Sequence, residues 1–273
     1  MKVAYLGPKG TFSEEAALKY FADKEISPIE HGTILDVLEA VAEGRVDKGI
    51  VPIENAIEGT ITMTTDGLTN YDVWIEGEAI LPVSLHLLTN EGAKLEDIKE
   101  VWSIPPALAQ CRDYTRELRV ETKHYSSTAN AAESLKKDGR LDAGAIASAW
   151  AAETFGLTIT KSNIQDYAGN STRFLILTKQ HSHQQKAEKT MLLVTPTEDR
   201  PGLLASMLNV FSSLGVNLTW IESRPTKKKL GTYRFFFEAT MGLHESHLQK
   251  AIAILETYDY DVRVLGSFDA KHL

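Results

Sequence analysis

The stretch Gly44-Arg-Val-Asp-Lys-Gly-Ile-Val51 returns 95 positions later as Gly139-Arg-Leu-Asp-Ala-Gly-Ala-Ile146, and this repeat decides the fold. Each copy follows a helical pattern, turns at a glycine and continues into a short apolar strand. Thr33 opens the helix before the first copy, and the same shift maps it onto Thr128 before the second. Although eight similar residues can also arise by chance, the repeat predicts two similar lobes with a cleft between them.

Short apolar runs alternate with helical patterns around the repeat. The strand-like runs are residues 3–6, 49–53, 81–88, 143–147 and 174–178, and the helical patterns are residues 13–22, 35–42 and 129–136. Such alternation is typical of an α/β domain with a largely parallel sheet.

A polar segment without apolar periodicity, residues 180–189, divides the chain. It predicts a first domain of residues 1–179, a linker of residues 180–189 and a second domain of residues 190–273. The second domain reads as strand 190–195, helix 201–214, strands 217–223 and 232–240, helix 245–257 and strand 262–268. This βαββαβ order predicts a ferredoxin-like fold.

Charge and cysteine content narrow the function classes. A formal net charge of -8 argues against nucleic acid and anionic membranes as partners, so any anionic ligand needs local donors. The single cysteine, Cys111, cannot support an intramolecular disulfide framework or a cysteine-based metal site, and its role stays open. No apolar stretch resembles a signal peptide or a membrane span, and together these features predict a cytoplasmic protein.

Polar residues collect at five corners between predicted elements: residues 6–13, 51–60, 102–111, 125–130 and 168–174. In open α/β sheets, ligands bind at the carboxyl ends of strands, where helix N-termini supply N–H groups. Serine and threonine at such corners can also serve only as helix caps. Because nucleotide-binding glycine motifs and clustered metal ligands are missing from the sequence, the corners favour cofactor-free chemistry on a small anion.

Four motifs at these corners carry a resemblance to a known family. The motifs are Gly7-Pro-Lys-Gly-Thr-Phe-Ser13, Pro52-Ile-Glu-Asn-Ala-Ile-Glu-Gly59, Ala107-Leu-Ala-Gln-Cys111 and Thr172-Arg-Phe174. Together and in this order, they resemble the monofunctional prephenate dehydratases. The second domain resembles that family's ACT domain, on the motifs Pro201-Gly-Leu-Leu204 and Glu222-Ser-Arg-Pro225.

The resemblance implies a hydro-lyase that converts prephenate into phenylpyruvate, water and carbon dioxide in L-phenylalanine biosynthesis. It implies a catalytic domain with two lobes like those of type II periplasmic binding proteins, and no metal or organic cofactor. It also implies feedback regulation by L-phenylalanine at the ACT domain. The expected assembly is a homo-oligomer, a tetramer built as a dimer of dimers through ACT-domain contacts.

The resemblance also assigns roles to individual residues. It implies that Thr172 donates to the leaving hydroxyl. Because the chain has a net negative charge, we also expect Arg173 to serve the dianionic substrate as a local cation, by direct contact or by orienting the loop. The expected substrate-binding residues are Thr11, Ser13, Asn55, Glu58, Gln110, Ser126, Ser127, Thr128, Arg173 and Phe174. The expected effector-binding residues are Pro201, Gly202, Leu203, Leu204, Asn217, Leu218, Glu222, Ser223, Arg224 and Pro225.

The chain departs from the family pattern in three motifs. Ala56 replaces a common serine and Ile104 a common histidine, so neither position supplies a polar side chain. Leu203 is larger than the alanine usual there, which affects the expected effector preference. Two alternatives stay open: a dehydratase that prefers arogenate, and a two-lobed binding or sensor protein without catalysis.

Overall fold

The computed structural model describes residues 1–181 and 186–273. The first stretch of elements is β1 (Lys2–Leu6), α1 (Phe12–Tyr20), β2 (Ser27–His31), α2 (Ile34–Glu43), β3 (Lys48–Asn55), β4 (Gly59–Thr60), α3 (Thr62–Asn70) and β5 (Trp74–Pro82). The next is β6 (His86–Thr89), a 3₁₀ turn (Leu95–Asp97), β7 (Glu100–Ser103), α4 (Pro105–Gln110), α5 (Arg112–Leu118), β8 (Glu121–His124), α6 (Thr128–Asp138), β9 (Ala143–Ala147), α7 (Ala149–Phe155), β10 (Thr158–Lys161) and β11 (Ser171–Thr178). The last is β12 (Lys189–Pro196), α8 (Leu203–Ser213), β13 (Leu218–Pro225), β14 (Tyr233–Ala239), α9 (Ser246–Thr257), β15 (Tyr260–Phe268) and β16 (Ala270–His272).

Two lobes with the same strand arrangement form the N-terminal part. The first lobe has the order β2-β1-β3-β11-β5 and the second has β8-β7-β9-β6-β10. One strand in each lobe, β11 or β6, runs opposite to its neighbours. The repeat strands β3 and β9 occupy equivalent positions, which confirms the predicted fold class of two α/β lobes.

The helices that precede the repeat strands begin one residue out of step with the predicted shift. Thr33 caps α2, and its hydroxyl accepts a hydrogen bond from the Asp36 N–H. In the second lobe the cap of α6 is Ser127, whose hydroxyl accepts from the Asn130 N–H, and Thr128 is the first helical residue. The equivalent of Thr33 is therefore Ser127, so the predicted match to Thr128 was wrong.

The apolar run at residues 81–88 is two strands rather than the single strand predicted. β5 ends at Pro82 in the first lobe, and β6 begins at His86 in the second lobe. Between them the chain crosses from one lobe to the other, with Val83 and Leu85 buried. The run is apolar because a buried crossing needs the same residue types as a buried strand.

The two crossings between the lobes are hydrogen-bonded to each other. The chain returns to the first lobe through residues 162–170, and the carbonyl of Asn170 accepts from the Val83 N–H at 2.9 Å. The Ile164 N–H likewise donates to the Leu85 carbonyl at 2.9 Å. The floor of the cleft is therefore a pair of backbone segments tied side by side.

The C-terminal domain has the predicted βαββαβ order, and its sheet continues that of the first lobe. Its strands follow the order β13-β14-β12-β15, and β15 then lies beside β5. Strand β16, which the sequence did not predict, pairs with β5 from Ala270 opposite Glu78 to His272 opposite Ile80. The predicted linker has its centre, residues 182–185, outside the described residues, and its last residue, Lys189, begins β12.

The domains also share a hydrophobic core. Met191, Trp220 and Phe236 of the C-terminal domain belong to the same buried cluster as Leu68 and Ile75 of the first lobe. A second cluster lies between the C-terminal sheet and its helices α8 and α9. Shared burial of this kind favours a fixed attachment between the domains.

We expect Gly266→Ala to destabilise the protein, because a Cβ at this position would overlap the Ile75 carbonyl oxygen at the point where β15 meets β5. Overpacking against backbone costs about 1–3 kcal/mol or more, and thermal unfolding followed by circular dichroism measures the loss. Gly32→Ala is the matched control, since its nearest neighbour is an Asp36 oxygen at an ordinary 3.8 Å. Equal melting temperatures for the two variants would show that the junction tolerates separation.

Candidate functional site

A cavity of about 570 Å³ lies in the cleft between the two lobes. Ten of the residues predicted from the sequence line it: Thr11, Ser13, Asn55, Glu58, Gln110, Ser126, Ser127, Thr128, Thr172 and Phe174. They come from both lobes and from the strand that returns across the cleft. The fold therefore brings together side chains that are far apart in sequence.

Two helix N-termini open on the cavity, one from each lobe. Thr11 caps α1, and its hydroxyl accepts from the Glu14 N–H while donating to the Leu6 carbonyl. Ser127 caps α6. Among the described residues, no lysine or arginine lines the cavity. An anion in the cleft must therefore be held by N–H groups, hydroxyls and the positive ends of helix dipoles.

Thr172, near the start of β11, is oriented by Asn55 at the end of the paired strand β3. Asn55 Oδ1 accepts from the N–H groups of Ile57 at 3.0 Å and Glu58 at 3.1 Å. The amide nitrogen is therefore the atom that faces Thr172, and it donates to the Thr172 hydroxyl oxygen at 3.0 Å. A hydroxyl that accepts in this way keeps its own proton available for donation into the cavity.

Arg173 lies outside the cavity, although its neighbours Thr172 and Phe174 both line it. Successive side chains of a strand point to opposite faces, and Arg173 forms ion pairs with Glu54 at 2.8 Å, Glu78 at 2.6 Å and Glu238. The prediction that Arg173 directly contacts a ligand in the cleft is therefore wrong. A role in orienting the loop stays a prediction.

The surroundings of Arg173 are buried and strongly charged. Glu78 and Glu238 are almost fully buried, and Lys189 lies 3.0 Å from Glu78 and 3.4 Å from Glu238. Burial alone would lower the pKa of Arg173, but the charges of Glu238 and Glu78 outweigh it and raise the pKa above its ordinary value. The guanidinium is therefore a permanent cation that joins β3, β5 and β14.

Sequence reasoning missed Asn170, a buried residue in the wall of the cavity. Its Nδ2 donates to Gln110 Oε1 at 3.0 Å, and Gln110 Nε2 donates to Glu58 Oε1 at 3.2 Å. This chain of three side chains crosses the cleft from one lobe to the other. The signal was present in the sequence, because Asn170 lies within the polar corner of residues 168–174.

The rest of the cavity wall is apolar and also went unpredicted. It includes Leu6, Phe12, Ile61, Val83, Leu85, Ile104 and Ala107. A single apolar residue gives no sequence signal of its own, because most such residues belong to a core. Together with Phe174, these side chains make a surface suited to one flat carbon ring.

Cys111 is buried in the core of the second lobe and does not line the cavity. Burial, with a smaller effect of Asp166, raises the pKa of its thiol to about 12. A thiol with such a pKa stays protonated near neutral pH and is a poor nucleophile.

The residues predicted to bind an effector divide into two groups. Gly202 and Leu203 begin α8, whereas Glu222 and Arg224 lie on β13 and contact the first lobe. The Thr60 hydroxyl donates to Glu222 at 2.9 Å. Arg224 Nε donates to Asp66 at 2.9 Å. Glu222 and Arg224 on β13 therefore contact the first lobe, which also supplies the cavity residue Glu58.

A second cavity, of about 420 Å³, lies in the C-terminal domain. Leu203 lines it, together with residues of β14 and of the segment after β12, but the other predicted effector residues do not. Across residues 1–181 and 186–273, no group of acidic, histidine and cysteine side chains is arranged to hold a metal ion. No helix within those ranges is long and apolar enough to span a membrane.

Comparison with known proteins finds family models and relatives that match most of the chain. Residues 3–182 match the family model for prephenate dehydratase, and residues 193–257 match the model for the ACT domain. The prephenate dehydratase of Lactococcus lactis subsp. cremoris is 36% identical and covers 100% of this chain and 99% of its own length. An arogenate dehydratase/prephenate dehydratase of Arabidopsis thaliana is also 36% identical, with 98% of this chain and 72% of that protein covered.

Two solved structures are similar over nearly the whole chain. The prephenate dehydratase of Staphylococcus aureus has a TM-score of 0.88 and 40% identity, and covers 98% of this chain and 100% of that chain. A prephenate dehydratase from Arthrobacter aurescens, solved in complex with L-Phe, has a TM-score of 0.91 and 33% identity, with 98% and 90% covered.

We expect Arg173→Met to destabilise the protein by about 3–5 kcal/mol, because it removes a buried cation and leaves carboxylates facing one another. Urea denaturation monitored by circular dichroism measures the change. Arg45→Met is the control, since Arg45 is about half exposed and pairs with Glu39 and Glu43 at the surface; such pairs contribute little. If both variants unfold at the same urea concentration, the buried cluster does not hold the domains together.

Proposed function

The chain belongs to the prephenate dehydratase family and converts prephenate into phenylpyruvate, water and carbon dioxide, and we propose that Thr172 assists this reaction in the cavity between the lobes. The observation that carries the proposal is the hydrogen-bond arrangement at Thr172, whose hydroxyl accepts from Asn55 and has its own proton free. The proposal therefore names the Thr172 hydroxyl as the proton donor to the leaving hydroxyl of the substrate.

The reaction needs little from the enzyme besides orientation and a proton. The bond from the ring to its carboxylate breaks and releases carbon dioxide, the electron pair moves through the ring, and the bond to the ring hydroxyl breaks. The departing oxygen takes one proton, relayed from solvent through Thr172, and leaves as water. Because the ring becomes aromatic, no strong base is required. A positioned proton donor contributes about 10²–10⁴-fold to the rate.

Two carboxylates of prephenate fit the donors that line the cleft. The N-termini of α1 and α6 point into the cavity from opposite lobes, and Ser13, Ser126 and Thr128 lie beside them. Preorganised dipoles of this kind stabilise charge well in a site shielded from water. The apolar wall of Phe174, Ile104 and Leu85 holds the ring between the two groups of donors.

Regulation by L-phenylalanine at the C-terminal domain is the second part of the proposal. The relative solved in complex with L-Phe and the match to the ACT domain support it. The contacts of Glu222 with Thr60 and of Arg224 with Asp66 offer a physical connection from β13 to the first lobe. We also place the protein in the cytoplasm as a homo-oligomer, a tetramer built as a dimer of dimers.

We expect the purified protein to form phenylpyruvate from prephenate, and Thr172→Val to lower kcat by about 10²–10⁴-fold, because valine keeps the shape but has no proton to donate. Thr172→Ser keeps the hydroxyl and should retain most of the activity. Thr178→Val is the matched control, a buried threonine of the same strand outside the cavity. The assay is phenylpyruvate absorbance.

Several outcomes would contradict these assignments. Equal losses for Thr172→Val and Thr172→Ser would show that the hydroxyl is not the important group. A folded wild-type protein without turnover would favour the binding or sensor alternative. A higher kcat/KM for arogenate than for prephenate would favour the arogenate alternative, which the Arabidopsis relative's name also includes.

We expect Asp66→Ala to keep the basal turnover and to weaken inhibition by L-phenylalanine, because it removes the carboxylate that accepts from Arg224 and Lys227 without touching the cavity. Allosteric coupling typically amounts to about 5–150-fold in affinity. Inhibition curves measure the loss, and calorimetry shows whether L-phenylalanine still binds. Unchanged inhibition in this variant would mean that the signal does not pass through the contact of Asp66 with Arg224.

A further inference from the structure

Asn170, a residue in the wall of the cavity, has a buried hydrogen-bond acceptor without a partner. The residue is 6% exposed, it lines the cavity, and its Oδ1 has no hydrogen-bond partner among the described residues. A buried polar atom without a partner is unfavourable, and a donor from a bound ligand is one way to compensate it. The placement of this oxygen therefore indicates that a bound molecule donates a hydrogen bond to it.

The orientation of the Asn170 amide follows from Glu58. A carboxylate only accepts, so Gln110 must turn its Nε2 toward Glu58 and its Oε1 toward Asn170. Asn170 must then donate its Nδ2 to Gln110, which leaves Oδ1 as the atom without a partner. The Glu58 carboxylate thus orients the amide of Gln110, which in turn orients the amide of Asn170.

Thr172, two residues after Asn170, supplies a hydrogen-bond donor instead of an acceptor. Asn55 donates to its hydroxyl oxygen, so the Thr172 proton is free. Asn170 directly precedes β11 and Thr172 is the second residue of that strand, and both residues line the cavity. The wall of the cavity therefore holds one donor and one acceptor on residues two apart, which is the pattern that an alcohol satisfies with its single O–H group.

We propose that Asn170 Oδ1 accepts a hydrogen bond from the ring hydroxyl of prephenate, so that Asn170 and Thr172 hold the leaving group between them. The inference rests on the proposed function. At neutral pH prephenate carries two ionised carboxylates and a ketone, so this hydroxyl is its only donor. The hydrogen bond to Asn170 turns a lone pair of the hydroxyl oxygen toward Thr172. Thr172 then supplies the proton as the C–O bond to the ring breaks. The water that leaves keeps the hydrogen that faced Asn170.

The test compares substrate with product, because phenylpyruvate has lost the hydroxyl. We expect Asn170→Leu to lower kcat/KM for prephenate by about 10- to 100-fold, the usual effect of one lost hydrogen bond in a site shielded from water. The inhibition constant of phenylpyruvate should change by less than about 3-fold, since it makes no bond to Oδ1. A residue with a merely structural role would weaken both together.

Glu58→Gln provides a second, independent measurement. A glutamine at position 58 can donate or accept, so the amides of Gln110 and Asn170 are free to turn over and present Nδ2 to the cavity. We expect this variant to lower kcat/KM for prephenate, and the double variant with Asn170→Leu to be no worse than Asn170→Leu alone. Additive losses would show that Glu58 does not act through Asn170.

Controls separate the possible failures. Asn90→Leu replaces another buried asparagine outside the cavity, so it reports the cost to folding while leaving the kinetics unchanged. If wild-type protein does not turn over prephenate, the proposed function fails. If wild type is active and Asn170→Leu keeps its kcat/KM, or loses affinity for phenylpyruvate equally, the proposed function stands and the role of Asn170 is overturned.

Discussion

The ion pairs of Arg173 hold three parts of the molecule together at the back of the strand that carries Thr172. Glu54 belongs to β3, Glu78 to β5 and Glu238 to the C-terminal domain, and all three meet one guanidinium. With Lys189 included, two cations face three carboxylates in a largely buried space. Such a cluster tolerates the loss of a partner poorly, because an uncompensated buried charge is costly. The position of Thr172 in the cavity thus depends on charges that never meet the substrate.

The hydrogen-bond donors that line the cavity are neutral groups among the described residues. The chain has a formal net charge of -8, and no described lysine or arginine lines the cleft. Instead, backbone N–H groups fix Asn55, Glu58 fixes Gln110 and Asn170, and helix N-termini face the space for the carboxylates. Dipoles held in place need no reorganisation during the reaction, and a water-excluded site strengthens them.

Much of this structure could be predicted from the sequence where the information is local. The repeated glycine turns identified two lobes, and the polar corners identified most of the polar residues that line the cavity. Tertiary pairing decided the rest: Arg173 is adjacent to Thr172, but its partners lie on three separate strands. The crossing at Val83 and Leu85 resembled a strand because both environments are buried. The acceptor proposed at Asn170 depends on Glu58 through Gln110 of the second lobe, and no spacing in the sequence records that connection.

The continuous sheet has a consequence for how the chain is made. The β5 edge of the first lobe is covered by β15 and β16, which are synthesised long after the strands they protect. While the ribosome is still producing the C-terminal domain, β5 is an open edge, and open edges invite pairing with other chains. Nascent chains would therefore gain from a chaperone or from rapid docking of β15 and β16, and truncation within β15 would leave an open, aggregation-prone edge at β5.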